Sequence, residues 1–241
     1  MNGDMPPNRI REANAAGRKA VGFLMNFPSP CIVELLGRQG GFDFAYADGE
    51  HGAFDLRDLE EHCRACDLVG LTPIARIPEI SRGTVGRFLD RGMRGIIAPH
   101  VDTAADARRL VEYCRFHPEG SRSYGAGRAE GLGVGVDLER HCRHWNANVL
   151  VGVMIESQTA IDNLDALLAV DGIDCFMIGA NDFAQGLGYP GQPAHPAAIA
   201  AAAEVAARVR AAGKSMREDV MRSIWMRDLL LDAAAGFVAQ G

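Results

Sequence analysis

The sequence predicts an α/β fold on a parallel sheet, closed into a barrel rather than left open. Two observations carry this. Short apolar runs alternate with helix-patterned segments at intervals of roughly 25 residues, the signature of repeated β-α units. The length of 241 residues suits one domain spanning 1–241, since α/β barrels often run to about 250. Nearly half of the chain is apolar, enough for a sizeable core.

Taken in order, the first strand is Ala20–Met25, and Ser29-Pro30 offers an N-cap and N1 pair for the helix that follows. Phe42–Ala47 is the second strand, followed by a helix over Leu56–Leu68. Thr72–Ile77 is the third, followed by a helix through Val85–Leu89. Gly95–Pro99 is the fourth, followed by a helix from Thr103 to Cys114. Val149–Ile155 and Cys175–Ile178 are strands five and six. Between them Ser157–Val170 has helical spacing, with Ile161, Leu164, Leu167 and Leu168 on one face. Pro196–Ala212 is an Ala-rich helix. Two regions break the rhythm. Residues 117–148 form a long connection rich in Gly and Arg, and connections of that length are usually functional or mobile. After Gly213-Lys214 the segment SMREDVM is a poor seventh strand, Ile224–Ala235 reads as helix, and GFVAQ at 236–240 is a candidate eighth strand. The C-terminal end is therefore atypical or shortened.

A net charge of −6 argues against nucleic-acid or anionic-membrane partners. There is no apolar run of about 18 residues to span a membrane and no apolar signal core, so a cytoplasmic location is the expectation. Cys63-Arg-Ala-Cys66 lacks a second ligand pair for zinc. With Leu56 and Leu59 these cysteines share a helical face, which favours core packing.

The chemistry gathers at strand ends, where parallel α/β folds bind ligands. Strand five stops at Glu156 and strand six just before Asp182. Two carboxylates with no Lys or Arg in their segments repel, and a hard divalent cation would relieve that. The alternative is that they cap the helices that follow. Strand two runs into Asp48-Gly49-Glu50-His51-Gly52, strand three ends near Arg76, and strand four at Pro99-His100. His51 suits a general base, or is a turn residue. Arg76 suits a carboxylate clamp or oxyanion donor, or pairs with Glu79. The only lysines are Lys19 and Lys214. Neither ends a clear strand, so a metal route is favoured over a Schiff base.

Four segments, Asp48-Gly49-Glu50-His51, Ala75-Arg76-Ile77-Pro78, Met154-Ile155-Glu156 and Ile178-Gly179-Ala180-Asn181-Asp182, resemble the HpcH/HpaI family of class II, metal-dependent pyruvate aldolases. Gly188-Tyr189-Pro190-Gly191 adds to the likeness, which covers Ala20 to Gly213. The resemblance implies a (β/α)8 TIM barrel binding Mg2+, Mn2+ or Co2+ through Glu156 and Asp182. It implies a 2-keto acid held by the backbone N–H groups of Asn181 and Asp182, Arg76 on the keto oxygen, and His51 as base. It assigns Asp90 the role of raising the basicity of that His. The residue reading favours Asp48 instead, because it lies three positions before His51. Met154 stands at a substrate-contacting position where many relatives carry Gln, and the family's seventh strand and last helix are not recognisable. The implied reaction joins or separates pyruvate, or hydroxypyruvate, and an aldehyde, in a cytoplasmic homo-oligomer. Decarboxylation of oxaloacetate on the same site and a non-catalytic keto-acid-binding paralogue are the alternatives.

Overall fold

The computed structural model describes residues 6–240. Seven strands form one parallel sheet: β1 Ala20–Met25, β2 Phe44–Asp48, β3 Thr72–Arg76, β4 Gly95–Ala98, β5 Leu150–Ile155, β6 Cys175–Ile178 and β7 Met221–Trp225. Their order is β6-β5-β4-β3-β2-β1-β7. The helices are α1 Arg9–Ala15, α2 Pro30–Gln39, α3 Leu56–Val69, α4 Arg82–Asp90, α5 Ala104–Cys114, α6 Leu138–Asn148, α7 Gln158–Asp162, α8 Leu164–Leu168, α9 Ala180–Gly186, α10 Pro196–Ala211, α11 Arg217–Val220 and α12 Met226–Val238.

The sheet curls, and its strands are buried on both faces. Residues such as Ile96, Val151 and Val153 pack outward against the helices. Ile97, Phe44, Tyr46, Ile74 and Met154 fill the inside, and Ile10 of α1 joins them. This two-sided burial is why the strands read as continuous apolar runs. The expected (β/α)8 closure is not reached by strand pairing among the described residues. The strand expected over 215–221 is reduced to one bridge, Met216 to Phe176, and α11 sits between β6 and β7, touching both.

Three sequence expectations change. Ile224 belongs to a strand, because Met221–Trp225 pairs in parallel with the open edge of β1, Ala20 opposite Met221. The helix starts only at Met226 and runs to Val238, so the 236–240 segment is a helix end and not an eighth strand. The Ser157–Val170 helix is two short helices broken at Asn163, whose amide donates to the Asp102 carbonyl (2.9 Å). No helix among the described residues is long and apolar enough to cross a membrane.

Candidate active site

Asp48 and Arg76 end adjacent strands and are register partners, so their side chains meet without a loop having to order. Asp48 accepts from Arg76 Nε (2.9 Å) and Nη2 (2.7 Å), a two-point charge-assisted pair. The backbone N–H groups of Glu50 and His51 also donate to it, each at 3.2 Å. Burial pushes the Asp48 carboxyl up, but Arg76 and these N–H groups outweigh it and hold it low. The turn needs Gly52, where a Cβ would fall 2.2 Å from the Asp48 carbonyl oxygen.

This corrects the expected role of Asp48. It orients Arg76 and the backbone of the turn, while the carboxylate facing the His51 ring is Glu50, 3.7 Å from Nε2. Glu50 Oε2 also lies 2.9 Å from Arg76 Nη1, though without hydrogen-bond alignment. Glu50 and His100 went unassigned in the sequence, although both follow strand ends. His100 has a left-handed backbone (φ 51°). Its backbone N–H donates to Glu156 Oε2 (2.9 Å), and its ring lies 3.5 Å from both Glu50 and Glu156.

Glu156 is 3% exposed. Its Oε1 rests against Gly179, where a Cβ would sit only 1.9 Å away. Burial raises the Glu156 carboxyl; Asp182 and Glu50 push it further, against the pull of His100. Asn181 and Asp182 lie in the first turn of α9, where backbone N–H groups lack intrahelical partners. Glu156, Asn181, Asp182, Arg76, Asp48 and His51 all line one cavity of about 370 Å³. A larger one of about 530 Å³, beside Gly40 and Ile224, has no carboxylate in its wall.

Two expected residues are not brought to this cavity. Asp90 ends α4 and accepts from Arg122 (2.9 Å), at the opposite end of the sheet. Met154 is 2% exposed and packs inside the sheet, beneath Gly179. Residues 117–148 also lie at that opposite end, bonded to Arg115, Glu112 and Asp90. Helices run antiparallel to the strands, so a connection leaving the C-terminus of α5 starts there. Cys63 and Cys66 are both core residues. Three cavity residues were missed: Asn26 after β1, Trp225 at the end of β7, and Arg227.

The donor set fits a hard cation. Glu156 and Asp182 share a wall, and Arg76 in that wall is already paired with Asp48 and Glu50. Among the described residues no group of three or more His, Cys, Asp or Glu could hold a metal. Two carboxylates would thus leave the remaining positions to ligand oxygens and water.

Residues 24–241 match the family model described as HpcH/HpaI aldolase/citrate lyase. The chain belongs to the HpcH/HpaI family. It is 36% identical to a 4-hydroxy-2-oxovalerate aldolase of Rhodococcus jostii, covering 87% of this chain and 80% of that one. It is 37% identical to a 4-hydroxy-4-methyl-2-oxoglutarate aldolase of Chaetomium globosum, covering 87% and 78%. A solved HpcH/HpaI aldolase/citrate lyase family protein from Burkholderia cenocepacia superposes with a TM-score of 0.82 at 28% identity, over 92% and 94% of the two chains.

Proposed function

We propose that the chain is a divalent-metal-dependent aldolase that makes or breaks the C3–C4 bond of a 2-keto-4-hydroxy acid, with pyruvate or hydroxypyruvate as the keto-acid half. The observation that carries this is the shared cavity, in which the buried Glu156 and the half-buried Asp182 share a wall with an Arg locked by Asp48 and an exposed His. Glu156 and Asp182 hold the cation, which supplies Lewis-acid stabilisation of the developing enolate oxygen. Asn181 and Asp182 offer backbone N–H groups to the substrate carboxylate. Arg76, fixed by Asp48 at Nε and Nη2, presents its charge to the keto oxygen; such a donor is worth about 10²–10³ in rate. His51 takes the C4 hydroxyl proton, C3–C4 breaks, and the electron pair passes to the pyruvyl enolate. The His51 ring is 64% exposed, which leaves it free to reach a bound substrate. Lys214 Nζ is turned to the Val170 carbonyl (3.4 Å), and neither lysine lines the cavity, consistent with a route that uses no Schiff base.

The same proposal includes a single-domain (β/α)8 relationship, completed from this seven-stranded sheet, homo-oligomeric assembly, a cytoplasmic location, and Mg2+, Mn2+ or Co2+ as the ion. The test is a panel of 2-keto-4-hydroxy acids with Mg2+ or Mn2+ and coupled pyruvate detection. Wild type turns over at least one of them and Glu156→Ala does not. An inert wild type, or full turnover in the variant, ends the proposal.

A further inference from the structure

The cavity wall carries charges of both signs. Glu156 and Asp182 need a cation, and Trp225 and Arg227 stand where β7 passes into α12. Among the cavity's cations Arg76 is engaged by Asp48 through Nε and Nη2 and by Glu50 beside Nη1. Arg227 is committed only through Nε, which donates to the neighbouring Asp228 (3.0 Å). Its two Nη groups carry no protein hydrogen bond among the described residues. The guanidinium stands 6.0 Å from the centroid of the Trp225 ring, near the outer limit of a cation–π contact. With a divalent ion balancing Glu156 and Asp182, and Asp48 balancing Arg76, Arg227 is the one cavity-lining cation left without a buried counter-charge. No side chain caps the N-terminus of α12, so the backbone there also favours an anion. In the same wall the Asn26 side-chain oxygen is buried without a hydrogen bond, an acceptor that a ligand hydroxyl would satisfy.

We propose that Arg227 is a specificity-determining residue that receives a carboxylate at the far end of the substrate, so that the aldehyde half of the substrate is itself an acid. This rests on the aldolase reading and narrows it to 2-keto-4-hydroxy dicarboxylic acids. The keto acid lies beside Glu156, and the distal carboxylate takes the two free Nη groups in the parallel geometry that guanidinium offers. Of the two substrates named for the relatives above, 4-hydroxy-4-methyl-2-oxoglutarate carries two carboxylates and 4-hydroxy-2-oxovalerate one. Arg227 places this chain with the former.

The test is calorimetry with Mg2+ present, which needs no turnover. The ligands are 2-oxoglutarate and 2-oxoadipate, set against their uncharged-tail counterparts 2-oxopentanoate and 2-oxohexanoate. Wild type binds at least one dicarboxylate about five- to tenfold more tightly than its counterpart, as expected of a part-exposed charge-assisted pair. The ratio falls below about twofold in Arg227→Gln, persists in Arg227→Lys, and shrinks with added salt. Equal affinities in wild type, absent ones included, overturn the proposal, as does a ratio that survives Arg227→Gln. Turnover of the acid panel is read separately. Discrimination without turnover removes the aldolase reading and leaves the carboxylate site, whereas turnover without discrimination does the reverse.

Discussion

Replacing Gly179 by Ala isolates the role of Glu156 without touching a charged group. Gly179 has φ −82°, a conformation that Ala adopts without strain, so the backbone has no reason to move. The new methyl carbon, however, would lie 1.9 Å from Glu156 Oε1 and 2.9 Å from Met154 Cε. Ordinary contact begins at 3.4 Å, so the carboxylate must retreat by about 1.5 Å. A magnesium ligand sits at about 2.1 Å in near-octahedral geometry, and a displacement of that size removes one of only two protein ligands. Retreat also strains the hydrogen bond from the His100 N–H to Oε2, worth about 1 kcal/mol. Displacing a ligand should weaken the metal at least as much as disturbing its supporting shell does, about 10–100-fold. Titration of free Mn2+ by electron paramagnetic resonance, with a thermal melt to show that the variant is folded, measures this. A folded Gly179→Ala protein that binds Mn2+ as tightly as wild type refutes the placement of the metal on Glu156.

Gly86→Ala, in the middle of α4, is the matched control. Its Cβ meets nothing within 4 Å, so it should leave Mn2+ affinity unchanged and stabilise the fold by about 0.5–1 kcal/mol in urea unfolding; a loss of metal affinity there would make the Gly179 result uninformative. Asp48→Asn removes the charge that holds Arg76 at Nε and Nη2, and kcat should fall by up to about 10² with a smaller change in KM; unchanged kcat would show that Arg76 needs no such anchor. Burial holds the His62 imidazole at about 4, below its ordinary 6.5. The unfolded chain binds the proton more readily, so stability is full above pH 6.5 and is lost as pH falls toward 4. The loss between pH 7 and pH 5 is about 2 kcal/mol. His62→Leu should remove that share of the pH dependence in paired urea titrations, and an equal dependence in both proteins would contradict it.

What was legible in the sequence follows from burial. Ala20–Met25, Thr72–Arg76 and Cys175–Ile178 are covered on both faces, so each reads as an apolar run that stops where the chain meets the ligand face. Met221–Trp225 is different. It is an edge strand of five residues holding Arg and Ser, and it runs without a turn into Met226-Arg-Asp-Leu-Leu-Leu. Its apolar positions fit a helix equally well, and only the open edge of β1 decides for strand. The same asymmetry governs the site. Glu156, Asp182, His51 and Arg76 were found because they follow strand ends. Their pairings were not, because pairing depends on register: Asp48, itself named from the sequence, lies opposite Arg76 only through the alignment of β2 on β3. Asn26 obeys the strand-end rule and was overlooked. Arg227 was out of reach, since its place depends on β7.

The measurement closest to the central claim is hydrogen–deuterium exchange at C3 of pyruvate in D₂O, followed by proton NMR with Mg2+. It reports enolisation at the Glu156–Asp182–Arg76 site whatever the aldehyde. Wild type is expected to accelerate exchange well above the buffer rate, and EDTA or Glu156→Gln to abolish the acceleration. Exchange at the buffer rate in wild type, or undiminished exchange in Glu156→Gln, would contradict the account.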